Sequence, residues 1–114
     1  MSIKESIFVK RADSGLYHTA MSLSLENLQR FVRGYIETVS IGEYNGQNVI
    51  MICNEDGKIR DDCPDSFLVF AGSRPVDVIR GDVIFCGCQG EELTGLYGPL
   101  KEFRTWLNDQ GLKI

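Results

Sequence analysis

Four cysteines, one histidine and a scatter of carboxylates are the side chains of this chain that could carry chemistry. The cysteines stand at positions 53, 63, 86 and 88. A structural zinc site usually presents two pairs of ligands, each pair two to four residues apart. Cys86-Gly87-Cys88 is too tight for the common knuckle, and Cys53 and Cys63 stand well apart. Small buried thiols are the plainer reading, with Cys86 and Cys88 on one face of a strand. His18 is the one histidine, and nothing adjacent to any cysteine marks a thiol–imidazole pair. Glu37, Glu55 and Asp56 could converge as paired acids. Sixteen Asp and Glu residues, however, offer such pairs by chance. Asn54-Glu55-Asp56-Gly57 echoes the middle of a calcium loop. The register fails, because Ile52 and Cys63 would occupy the first and last ligand positions. The glycine-containing stretches 87–90 and 95–98 lack the Gly-Lys-Ser/Thr of a phosphate loop. No catalytic constellation, cofactor or metal is expected.

The elements that must hold these residues follow from periodicity. Residues 3–11 and 16–23 read as two strands joined by a turn at Asp13-Ser14-Gly15. Ser24 can accept a hydrogen bond from a free amide of the first helical turn. Leu25, Leu28, Phe31 and Val32 then form a helical stripe. Gly34 suits the left-handed residue that closes such a helix. Residues 35–41 are rich in β-branched and aromatic types. Asn45-Gly46 predicts a tight hairpin, with residues 48–53 returning as an apolar interior strand. Residues 58–60 could pair briefly, and residues 66–71 could be strand or buried helix. Residues 83–86 read as a buried strand. Pro99 fits the first turn of a last helix, with Leu100, Phe103, Trp106 and Leu107 on its apolar face and Gly111 closing it. The expected fold is α+β: a mostly antiparallel sheet of about five strands with two helices packed on one face, in one domain spanning 1–114.

Composition narrows the function classes. Apolar residues make up 43% and charged residues 25% of 114, which excludes general disorder. The net charge is −4 and the twelve Lys and Arg are scattered, which disfavours nucleic acid as a partner. No apolar run approaches the ~20 residues of a membrane helix, and no leader pattern is visible. A cytoplasmic protein with reduced thiols is therefore expected, with no nucleic-acid and no membrane partner.

Certain motifs resemble a known group. The block Gly34-Tyr35-Ile36-Glu37, the strand ending Cys53-Asn54-Glu55-Asp56-Gly57-Lys58, and the later Ile79-Arg80-Gly81-Asp82-Val83 recur in that order in a family of small uncharacterised domains. These occur in Gram-positive bacteria, their phages and conjugative elements. The resemblance spans about residues 7–88; stretch 61–75 and hairpin 42–47 depart from the pattern. It carries no catalytic residues, but it implies an accessory role in a mobile-element setting. The leading expectation is a non-enzymatic domain that binds a protein partner through Tyr35, Glu37, Asn54 and Glu55. The competing one is a small-molecule, nucleotide-like ligand held by Arg33, Arg74 and Arg80. The sequence leaves homo-oligomer formation open.

Overall fold

A computed structural model describes residues 3–114. Strands β1 (Lys4–Lys10) and β2 (Leu16–Ser22) form the expected hairpin, antiparallel from Lys4 opposite Ser22 to Lys10 opposite Leu16. Helix α1 (Leu25–Val32) begins at Ser24, whose hydroxyl accepts from the Asn27 amide at 3.3 Å. Leu28 and Val32 are buried, whereas Leu25 lies 58% exposed and is not part of the buried stripe. The left-handed residue closing α1 is Arg33 (φ 65°, ψ 41°), not Gly34. Gly34 is needed for a different reason: a side chain there would lie 2.8 Å from Asn54 Nδ2.

Strands β3 (Ile36–Tyr44) and β4 (Gln47–Asn54) are joined by Asn45 and Gly46, both at positive φ (51° and 77°), as a two-residue hairpin demands. β3 runs three residues past the expected end by absorbing a bulge between Ser40 and Gly42. Residues 55–59 are turns, so residues 58–60 do not pair. The ambiguous segment 66–71 is a strand, β5 (Asp65–Ala71), and it pairs with β6 (Arg74–Arg80). Then come β7 (Val83–Gln89), β8 (Glu92–Thr94), helix α2 (Leu100–Asp109) and β9 (Leu112–Lys113).

The strands form two sheets. The larger has the order β2-β1-β7-β4-β3, with β8 added to β7; the smaller has the order β6-β5-β9. Every pairing among the described residues is antiparallel. The α+β class and the antiparallel sheet are as expected. The larger sheet holds six strands rather than about five, and the second sheet was not foreseen.

The two helices lie on opposite faces of the larger sheet, not on one. Its inner strands are apolar on both sides, and a sheet apolar on both sides requires cover on both. Ile7, Val9, Ile52, Ile84 and Cys86 pack with Leu28 and Val32 of α1. The alternate residues Phe8, Met51, Val83 and Phe85 pack with Phe103 and Leu107 of α2 and with Phe67 and Leu112 of the small sheet. Phe103 anchors α2: its ring stacks on Phe8 at 4.1 Å and meets Phe85 edge-on at 5.7 Å.

Candidate functional site

On the α2 side of the larger sheet, a groove of about 240 Å³ opens between β3–β4 and the small sheet. Its floor is apolar, from Val39, Ile41, Met51, Val69, Ile79 and Leu112. Charged residues stand around it: Glu37, Glu55, Lys58, Asp77 and Arg80. Alternation along β3 explains one wall, since Glu37, Val39 and Ile41 share the face that meets the core.

Three of the four residues expected from sequence (Glu37, Asn54 and Glu55) line this groove. Tyr35 is 69% exposed beside it, its carbonyl accepting from the Glu55 amide at 2.9 Å. Asn54 is 95% buried, at 5% exposure, and both ends of its amide are committed to the fold. Its Nδ2 donates to the Val32 carbonyl at 2.9 Å, and its Oδ1 accepts from the Asp56 amide at 2.8 Å. Asn54 therefore ties the end of α1 to the turn that carries Glu55. Arg60 reinforces this joint, donating to the Arg33 carbonyl at 2.5 Å while forming a forked ion pair with Asp62.

The opposite wall comes from Lys58 and Asp77, which sequence reasoning missed as site residues, and from Arg80, which it had named only for the small-molecule reading. Lys58 Nζ lies 2.8 Å from Asp77 Oδ1 and clasps the 54–60 turn to β6. That bond lowers the Asp77 carboxyl below its usual range and raises the Lys58 ammonium above its own. Arg80 donates to the Lys58 carbonyl at 3.2 Å. Its Nε sits 3.2 Å from Asp65 Oδ1 without the alignment of a hydrogen bond. Lys58 and Arg80 thus each face an acid. Among the described residues, neither Glu37 nor Glu55 has an ion-pair partner. Nothing local in β6 or β9 signals membership in a site, because those residues arrive by pairing with β5, not by motif.

The groove thiol is Cys53, directly across the strands from Glu37. Burial, and secondarily the Glu37 carboxylate, push it up to about 11. Cys86 is pushed up to about 12, again mainly by burial. Cys88, two residues on, is half-buried and points its thiol at the Gly90 carbonyl. His18 is exposed on β2, its ring centroid 4.2 Å from that of Phe8, at the sheet edge remote from β3. Among the described residues, no three His, Cys, Asp or Glu side chains gather closely enough to hold a metal ion. Among the described residues, no helix is long and apolar enough to cross a membrane.

The three arginines of the small-molecule expectation do not converge. Arg80 borders the groove, whereas Arg33 lines a separate depression with Arg11, Asp62 and Asp82. Arg74 begins β6, at the turn from β5. In the Arg33 depression, Arg11 is held by Tyr17 at 2.9 Å and Asp82 at 3.0 Å, over the Phe31 ring.

Fold and site define a small two-sheet α+β domain with an open, acid-rimmed apolar groove. Residues 5–108 match the family model described as a domain of unknown function, DUF3846, and the chain belongs to that family. No curated protein and no solved structure matches it.

Proposed function

We propose that the chain is a non-enzymatic accessory domain that acts by binding a protein partner in the groove between β3–β4 and the small sheet. The observation carrying this reading is the groove's make-up: an apolar floor left open, with Glu37 and Glu55 unneutralised at its rim. Chemistry has little support there. Burial holds the Cys53 thiol protonated at neutral pH, and His18 lies at the opposite edge of the sheet. A volume of about 240 Å³ in an open groove accommodates side chains of a docked segment. The excess of unpaired acid at the rim opposes a phosphate-bearing ligand. The motif resemblance to domains of phages and conjugative elements supports an accessory role directed at a host protein.

The test pairs two measurements. Affinity capture from a Gram-positive lysate uses the native chain and Val39→Arg, which places a long charged side chain on the groove floor. A thermal-shift screen covers common nucleotides. The expected result is a protein retained by the native chain and lost with a folded Val39→Arg variant, with no nucleotide shift. A nucleotide that raises the melting temperature by several degrees, with no groove-dependent capture, would overturn the proposal.

A further inference from the structure

Resting on the interaction-domain reading, we infer that the groove's occupant is an extended, basic peptide segment that adds as a strand to the free edge of β3. Among the described residues β3 ends the larger sheet, so one row of its backbone groups has no strand partner there. Only part of that edge is accessible. Past the bulge the end of α2 covers the groove face of β3, since a side chain at Gly42 would lie 3.3 Å from Gln110 and 3.4 Å from Trp106, so a strand added there would have no open groove for its side chains. Residues 36–40 remain, about 17 Å of strand, enough for a short docked segment.

The other edge at the groove, β6, is blunted. It contains Pro75, and its pairing with β5 is irregular at two places. Both features discourage strand addition.

Charge selects the occupant. Lys58 is matched by Asp77, and Arg80 stands beside Asp65, which leaves Glu37 and Glu55 as the free charges at this end. A strand beside β3 places its side chains across from Glu37 and Val39 on the groove face. The matching pattern is a Lys or Arg two residues from an apolar residue. The basic side chain meets Glu37 with Glu55 nearby, and the apolar one covers Val39. Exposed Tyr35, beside Glu55, offers a cation a second contact.

The test is selection of linear dodecapeptides from a displayed random library against the full chain. Enriched sequences are then synthesised with a fluorescein label for anisotropy and amide-shift mapping. The expected outcome is enrichment of the basic–x–apolar pattern, shifts concentrated at residues 36–40, and loss of binding when the peptide backbone is N-methylated at alternate positions. Glu37→Gln with Glu55→Gln should weaken binding by about three- to tenfold at low salt and by less at high salt. Peptides that shift the groove but carry no basic residue, or that ignore the two substitutions, overturn this inference and leave the interaction reading standing. No enriched peptide, or shifts confined to the Arg33 depression, overturns the groove as the site. Sedimentation showing a concentration-dependent dimer broken by Ser40→Pro would make a second copy the occupant and also overturn the inference.

Discussion

Replacing Asn54 by alanine should cost about 2–3 kcal/mol of stability. Asn54 is 95% buried, at 5% exposure, and its side chain bridges two elements. Its Nδ2 gives the Val32 carbonyl a partner at 2.9 Å, and its Oδ1 takes the Asp56 amide at 2.8 Å. Alanine leaves the Val32 carbonyl, at a buried helix end, without that donor, a loss of about 1–3 kcal/mol. The Asp56 side lies at an exposed turn, where water replaces the lost acceptor, so its share is the smaller. Unfolding entropy of about 2.1 cal/mol/K per residue gives about 0.24 kcal/mol/K for a chain this long, so the melting temperature should fall by about 10 °C. Asn54→Asp separates the two bonds. It keeps the acceptor for Asp56 but puts a second acceptor against the Val32 carbonyl. Desolvation and that oxygen raise the pKa of the introduced carboxylate, opposed by the Arg60 guanidinium, which is already engaged by Asp62. At pH 7 this variant should be at least as unstable as alanine, and its deficit should shrink below pH 5, where the protonated carboxyl can donate. The assay is calorimetry or circular-dichroism melting of the three chains from pH 4 to 8. A shift under 3 °C for alanine, or a pH-independent deficit for Asp, would refute the account of Asn54 as a two-ended tie.

Two more outcomes follow from the groove's charges and thiols. The Lys58–Asp77 clasp is solvent-exposed, so Lys58→Met should cost under about 1 kcal/mol. Asp77 is shifted down by Lys58, so its contribution is present above the ordinary carboxylate range and is lost as pH falls through its lowered value. Lys58 is shifted up, so its contribution is present below the ordinary lysine range and is lost as pH rises through its raised value. The melting difference between native and variant chains should be flat around neutral pH and should vanish in acid, once the pH is below the lowered Asp77 value; a difference that persists there contradicts the assignment. In thiol labelling with Ellman's reagent at pH 8, Cys88 should react within minutes. Cys53, with about one thiol in a thousand ionised, and Cys86 should react only as the chain unfolds. A rapid phase that survives in a Cys63→Ser, Cys88→Ser double variant and is lost on adding Cys53→Ser would show that the groove thiol is open to attack.

Local signals in the chain carried local structure well. Asn45-Gly46 specified its hairpin because both positions need positive φ. Ser24 began α1, and Phe103 and Leu107 marked the buried face of α2. Adjacent strands with alternating or wholly apolar residues were visible for the same reason. What periodicity could not supply was which side of the sheet each helix covers. The apolar run 48–53 looks the same whether one face or both are covered, and both are. The left-handed position also fell one residue early, on Arg33. Gly34 is spared for contact with Asn54 rather than for its φ, and that contact joins residues twenty apart. Glu37, Asn54 and Glu55 came together in the groove because they belong to one hairpin and its following turn. Asp77 and Leu112 were invisible as partners, since only the small sheet brings them there, and Arg80 was named without any sign that it would face this groove.

The groove exists because the cover on this face of the larger sheet is incomplete. α2 lies over the middle of the sheet through Phe103, which touches Phe8 and Phe85. The small sheet covers the next stretch, with Phe67 near Phe85 and Leu112 in the same core. Three short strands, the last only two residues long, reach β4 but stop short of sealing β3. The inward row of β3 records that limit: Val39 and Ile41 are apolar and half-covered, while the next residue along the row is Glu37. A carboxylate in line with core residues is tolerable only where water or a partner can reach it. The change from Val39 to Glu37 therefore marks where the protein's own packing ends, and on the proposed reading it is where a docked segment supplies an apolar contact and an opposite charge.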